Sequence, residues 1–164
     1  MISKKNLIRL IVYPLILHFF GLVQLWHKFD HNPELDYYFD WFSLVTQKEV
    51  GIRGAITESM FPAFVPPWSP KGSEIIGMCH PLVLSDLSQE VQFNARYWDS
   101  ASENERFLLV FHELGHCRCY LFHDATLLED GCPASLMSPY LPPQECADAH
   151  FLDYAIDIAE RCRK

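Results

Sequence analysis

Residues 102–119 read SENERFLLVFHELGHCRC, and the fold of the chain turns on this stretch. Ser102 followed three residues later by Glu105 has the capping-box form, in which each side chain satisfies an orphan backbone N–H at a helix start. Phe107, Leu108, Leu109, Val110, Phe111 and Leu114 then leave almost no polar face, so the spacing predicts a helix buried in the domain centre. His112, Glu113 and His116 sit on that helix as an HExxH motif, a pattern already familiar as a zinc signature. Residues four apart lie one turn apart on the same face, so both imidazoles reach one ion. Two histidines and a glutamate are costly in an apolar interior without a partner, and a metal supplies one. Neutral imidazole suits zinc. Glu113 is the expected base on a metal-bound water, whose pKa zinc lowers to roughly 7.

A catalytic zinc site requires a third protein ligand. His123, seven residues past His116, is the leading choice, with the helix ending near Tyr120 or Leu121 so that the chain turns back. Asp124 is its rival. Glu145 or Asp148 would serve if the third ligand is a distal carboxylate.

Outward from the helix, Glu74–Cys79 reads as a strand. So does 91–98, where Val91, Phe93, Ala95 and Tyr97 alternate with polar or solvent-facing partners. A last helix, Pro143–Arg163, repeats Ala147, Phe151, Tyr154, Ala155, Ile158 and Cys162 at spacings of three and four. The aromatics of 29–45 are expected to cover the core, and the four prolines of 61–70 mark a loop. These elements describe a single α+β domain: a small mixed sheet, a buried site helix and a C-terminal helix.

The chain has 164 residues and a net charge of −8 without a basic block, which argues against nucleic acid, since phosphate binding needs clustered Lys and Arg. Six cysteines, an even number, suit disulfides in an oxidising compartment, with the pairing left open. Cys79 is read as a disulfide partner, of Cys117 or another cysteine, rather than as a thiolate on the metal. Lys4, Lys5 and Arg9 precede a mostly apolar run from Leu10 to Trp26, the order of a secretory signal or membrane anchor. Residues 1–28 are therefore expected to export or anchor a 29–164 domain.

With Ser135-Leu136-Met137-Ser138-Pro139-Tyr140 following the motif and His123, the chain resembles the metzincin-type zinc metallopeptidases. It is similar in particular to small exported bacterial metallopeptidases with HELGHC and a longer spacing to the third histidine. The resemblance implies a zincin-like fold, a bound Zn2+, and hydrolysis of a peptide lying along strand 91–98 as an edge strand. It also implies Met137 as the Met-turn residue under the metal and Tyr140 as an oxyanion donor. Two departures are plain. The family pattern places glycine three residues and the third ligand six residues after the second histidine; here Cys119 and His123 stand at three and seven. A non-peptidase zinc hydrolase and a non-catalytic zinc protein are the alternative functions.

Overall fold

A computed structural model describes residues 31–58, 75–80 and 89–164. The N-terminal segment 1–28 and the proline-rich stretch 61–70 lie outside the described residues. From 31 onward the order is a short 3-10 turn at Pro33–Leu35, α1 (Asp36–Thr46), β1 (Arg53–Thr57), β2 (Gly77–His80), β3 (Glu90–Asn94), α2 (Ala95–Ser100), α3 (Glu103–Cys119) and α4 (Gln144–Arg163). This is a mixed helix and strand fold, as expected. The sheet runs β1-β3-β2, with β1 parallel and β2 antiparallel to β3.

The expected strand 91–98 needs two corrections. It ends at Asn94, whose side chain accepts the Tyr97 N–H and caps α2. An N-cap asparagine outcompetes four further residues of alternation because it satisfies a donor that the new helix orphans. Trp98, on the polar side of the alternation, is instead buried against Phe93 with ring centroids 5.4 Å apart. The strand is also central, paired with β1 and β2 along its length. Both backbone edges are used, so no peptide can add to it. Among the described residues, β2 is the edge strand on the side of α3.

Helix α3 starts as read, with both halves of its capping box formed. It is the hub of the core. Phe111 meets Phe42 of α1, edge to face at 5.2 Å, and Phe107 stacks on Phe111 at 4.1 Å. Phe107 also meets Phe151 of α4 at 5.1 Å. Tyr38, Phe39 and Phe42 of α1 are buried while Tyr37 and Trp41 are exposed, so the aromatic stretch does cover the core. Pro143 is the N-cap of α4, which departs from helical geometry at His150.

Three disulfides tie this hub down. Cys79–Cys117 joins β2 to α3, Cys119–Cys162 joins the ends of α3 and α4, and Cys132–Cys146 joins the 126–134 loop to α4. No cysteine is left free. By chain entropy such closures contribute roughly 3–4 kcal/mol each. A fully paired set of this kind belongs to an oxidising environment. Among the described residues, no helix is long and apolar enough to cross a membrane.

Candidate metal centre

Helix α3 places His112 and His116 one turn apart, and both rings are fixed from behind. His112 Nδ1 lies 2.8 Å from the Leu136 carbonyl and His116 Nδ1 lies 2.7 Å from the Leu121 carbonyl. A carbonyl only accepts, so each Nδ1 carries the proton and each Nε2 presents a lone pair. Those lone pairs converge. His116 Nε2 is 3.1 Å from His112 Nε2 and 3.0 Å from His123 Nε2. Around a tetrahedral zinc with N ligands at ~2.0–2.1 Å, ligand nitrogens stand about 3.3 Å apart. Facing lone pairs at 3 Å repel one another unless a cation sits between them. The residues therefore fit zinc, as three neutral imidazoles whose Nε2 atoms converge.

Neutrality of the three imidazoles is built in. Burial pushes the His112 imidazole down to about 3, and burial also lowers His116 and His123. Of the three, His112 is buried and His123 is exposed, so the site opens on the His123 side.

The turn that delivers His123 explains the unusual spacing. Helix α3 ends on Tyr120, which adopts a left-handed φ of 54°. The N–H groups of Tyr120 and Leu121 both return to the Gly115 carbonyl, the latter at 3.1 Å. In the residues that follow, Leu121 packs on the core while Tyr120 and Phe122 are exposed, and His123 reaches back to the triad. For an L-residue this left-handed conformation costs roughly 1–2 kcal/mol.

Asp124 does not join the histidines. Its carboxylate accepts from Thr126 N and Oγ1 and lies 3.7 Å from Arg161, and these contacts hold it below the usual carboxylate range, the Thr126 bonds first. Glu145 and Asp148 are exposed on α4, and Asp148 is bonded to Asn104.

Beneath the triad lies the 135–138 turn. Met137 is fully buried, and a Cβ added at Gly115 would lie 2.8 Å from its Sδ, so this helical glycine exists to admit the thioether. The turn orients two of the histidines through its backbone: Leu136 O holds His112, and Met137 O accepts the Asp124 N–H at 2.8 Å, next to His123. The turn is itself pinned through Ser135. Its hydroxyl donates to Asp157 at 2.6 Å and accepts from Arg161 Nη1 at 2.6 Å and from Met137 N at 3.1 Å. Sequence reading missed Ser135, Asp157 and Arg161, which are 22 and 26 residues apart with no local pattern joining them.

Glu113 is buried on the side facing β2. A Cβ at Gly77 would stand 2.7 Å from its Oε1 and 2.8 Å from its Cγ, so β2 approaches here only because residue 77 is glycine. Burial pushes the carboxyl up to about 8, opposed by a hydrogen bond from the Cys79 backbone N–H. Tyr140 is 65% exposed just beyond the turn, and among the described residues its hydroxyl bonds neither the triad nor Glu113.

A second group, Asp130, Cys132 and His150, also has ligand atoms close enough for one ion. Cys132 is in a disulfide, so that group has no free thiolate here.

Comparison with known proteins finds no matching family model, no matching curated protein and no matching solved structure. The functional reading therefore rests on the site alone.

Proposed function

We propose that this chain is a zinc-dependent peptidase of metzincin-like design. The observation that carries the proposal is the convergence of three Nε2 atoms, two of them locked by carbonyls, next to a buried glutamate that no cation among the described residues neutralises. The turn supports the family likeness. In the metzincin pattern the glycine stands three residues before the third histidine, and left-handed Tyr120 stands three residues before His123. The extra residue lies in the helix, before the turn.

Zinc, when bound, supplies positive charge that acidifies a water, polarises the scissile carbonyl and draws the Glu113 pKa down toward its ordinary range. Glu113 accepts a proton from the attacking water and passes it to the leaving amine. The Cys79 N–H holds the carboxylate in place between those transfers. His112 and His116 stay neutral and fixed by Leu136 and Leu121. An extended substrate lies along the outer edge of β2, the strand that borders Glu113, with main-chain hydrogen bonds supplying affinity. That assignment replaces 91–98. Tyr140 is the proposed oxyanion donor, so Tyr140→Phe should lower kcat while leaving KM unchanged. Residues 1–28 act as the export signal or anchor that delivers the domain to the compartment where its disulfides form.

The test is cleavage of a mixed peptide library by zinc-loaded protein, by Glu113→Gln and by a chelated sample. Cleavage by the first alone is expected. Cleavage that persists in Glu113→Gln would sink the mechanism, and ester or amide turnover without peptide cleavage would make the chain a non-peptidase zinc hydrolase.

A further inference from the structure

The 126–134 loop and α4 bring Asp130, Cys132 and His150, three side chains of metal-ligating type, together away from the histidine triad, with Cys146 bonded to Cys132 beside them. His150 Nε2 lies 2.8 Å from Asp130 Oδ2, and one ligand atom each of Asp130, Cys132 and His150 lie within 4.8 Å of one another. Cys146 joins them through its bond to Cys132, and it precedes His150 by four residues on α4. A spacing of four is about one helical turn, with the backbone leaving helical geometry at His150 itself.

We propose that Asp130, Cys132, Cys146 and His150 form a second, redox-gated site that takes zinc when the Cys132–Cys146 disulfide is open. Two thiolates, an imidazole and a carboxylate are all zinc ligands, and four protein ligands make a closed, structural site rather than a catalytic one. Disulfide and metal exclude each other, because a sulfur bonded to sulfur has no thiolate to offer. The electrons balance simply. A dithiol reductant gives two electrons and two protons, becomes a disulfide itself, and leaves Cys132 and Cys146 as thiols. The cation then displaces both thiol protons.

The frame that holds the ligands does not depend on the disulfide. Asp130 Oδ1 accepts the Cys132 N–H at 2.9 Å, and Leu128 N donates to Cys132 O at 2.7 Å. Ala134 N donates to Thr126 O at 2.8 Å, and the buried Tyr154 hydroxyl donates to the Pro133 carbonyl at 3.0 Å, tying loop to helix. The ligands therefore stay near one another when the S–S bond opens. In a chain not yet oxidised, the ion would keep Cys132 beside Cys146 and away from the other four cysteines until their disulfide forms.

The full chain, with zinc added alone, is to be examined by native mass spectrometry before and after reduction with a phosphine. One zinc is expected when oxidised and two when reduced. His150→Ala should lose the second ion only, and His112→Ala the first only. Replacing zinc by Co2+ should give thiolate charge-transfer absorption that His150→Ala weakens. Because reduction opens every disulfide, Cys146→His provides a version that needs no reductant and keeps the other two bridges. It should bind the second zinc directly. A reduced chain that retains its triad zinc but takes no second ion, a second ion indifferent to His150→Ala, or a Cys146→His protein that holds only one zinc would each overturn the proposal.

Discussion

Ser135→Ala is the most informative single change, because Ser135 touches no ligand yet fixes the turn that orients two of them. The hydroxyl is buried and makes three hydrogen bonds, to Asp157, Arg161 and Met137 N. Removing it leaves the Met137 N–H buried without a partner, which costs ~1–3 kcal/mol. Asp157 and Arg161 are half-buried and can recruit water, so their loss adds only ~1 kcal/mol. The total is roughly 2–4 kcal/mol by denaturant unfolding of metal-free protein. The metal effect is separate. Leu136 O and Met137 O lie in the loosened turn, and disturbing partners of metal ligands weakens affinity roughly tenfold to hundredfold. The control is Ser138→Ala in the same turn, whose similarly buried hydroxyl accepts, among the described residues, a long bond from Tyr140 N at 3.4 Å. It should cost under ~1 kcal/mol and leave zinc affinity unchanged. Competition titration against a zinc indicator separates the two. Equal losses of zinc affinity in Ser135→Ala and Ser138→Ala would refute the idea that Ser135 is the pin.

Gly77→Ala puts a methyl within 2.8 Å of Glu113 and Leu109; it should cost ~1–3 kcal/mol by overpacking and reduce peptide cleavage more than zinc binding. If it leaves both stability and cleavage intact, β2 does not press on Glu113 as described. Tyr120→Gly should keep zinc affinity and change stability by under ~1 kcal/mol, the relief of left-handed strain being offset by chain entropy. Tyr120→Val, β-branched at φ 54°, should lower both; equal behaviour of the two variants would refute the turn argument. The pH dependence of the metal-free chain follows from two opposed groups. Burial holds Glu113 at about 8 against an ordinary 4.5, so its stabilising protonated form is fully present below 4.5 and lost as pH rises through 8. Burial holds His112 at about 3 against 6.5, so stability falls as pH drops below 6.5. Between pH 6.5 and 8 only the glutamate of this pair titrates, and unfolding free energy should fall by up to ~1.4 kcal/mol per pH unit. Glu113→Gln should flatten that slope in urea denaturation. A slope unchanged by Glu113→Gln would place its origin elsewhere.

What could be read in advance was whatever is encoded within one or two helical turns. The Ser102–Glu105 box, the buried run 107–114 and the two histidines four apart all act locally, and the structure contains them as read. The placement of His123 beside His112 and His116 was legible because the chain offers an imidazole just past the helix, where a zinc centre would need a third ligand. The strand at 91–98 was misread because alternation of Ala95 and Tyr97 looks the same in one dimension whether or not Asn94 caps a helix. Its central position depends on pairing with Arg53–Thr57, about forty residues upstream, which no local pattern announces. The Ser135–Asp157–Arg161 cluster was invisible for the same reason, being assembled by packing of α4 on the turn.

Coordination at the metal tests the central claim most directly. The zinc-loaded chain, measured by metal stoichiometry and zinc-edge X-ray absorption, should hold one ion in its oxidised form with three nitrogen ligands and one oxygen. His123→Ala should remove one nitrogen, and Asp124→Ala none. Absence of stoichiometric zinc, or a ligand lost in Asp124→Ala and kept in His123→Ala, would contradict the account.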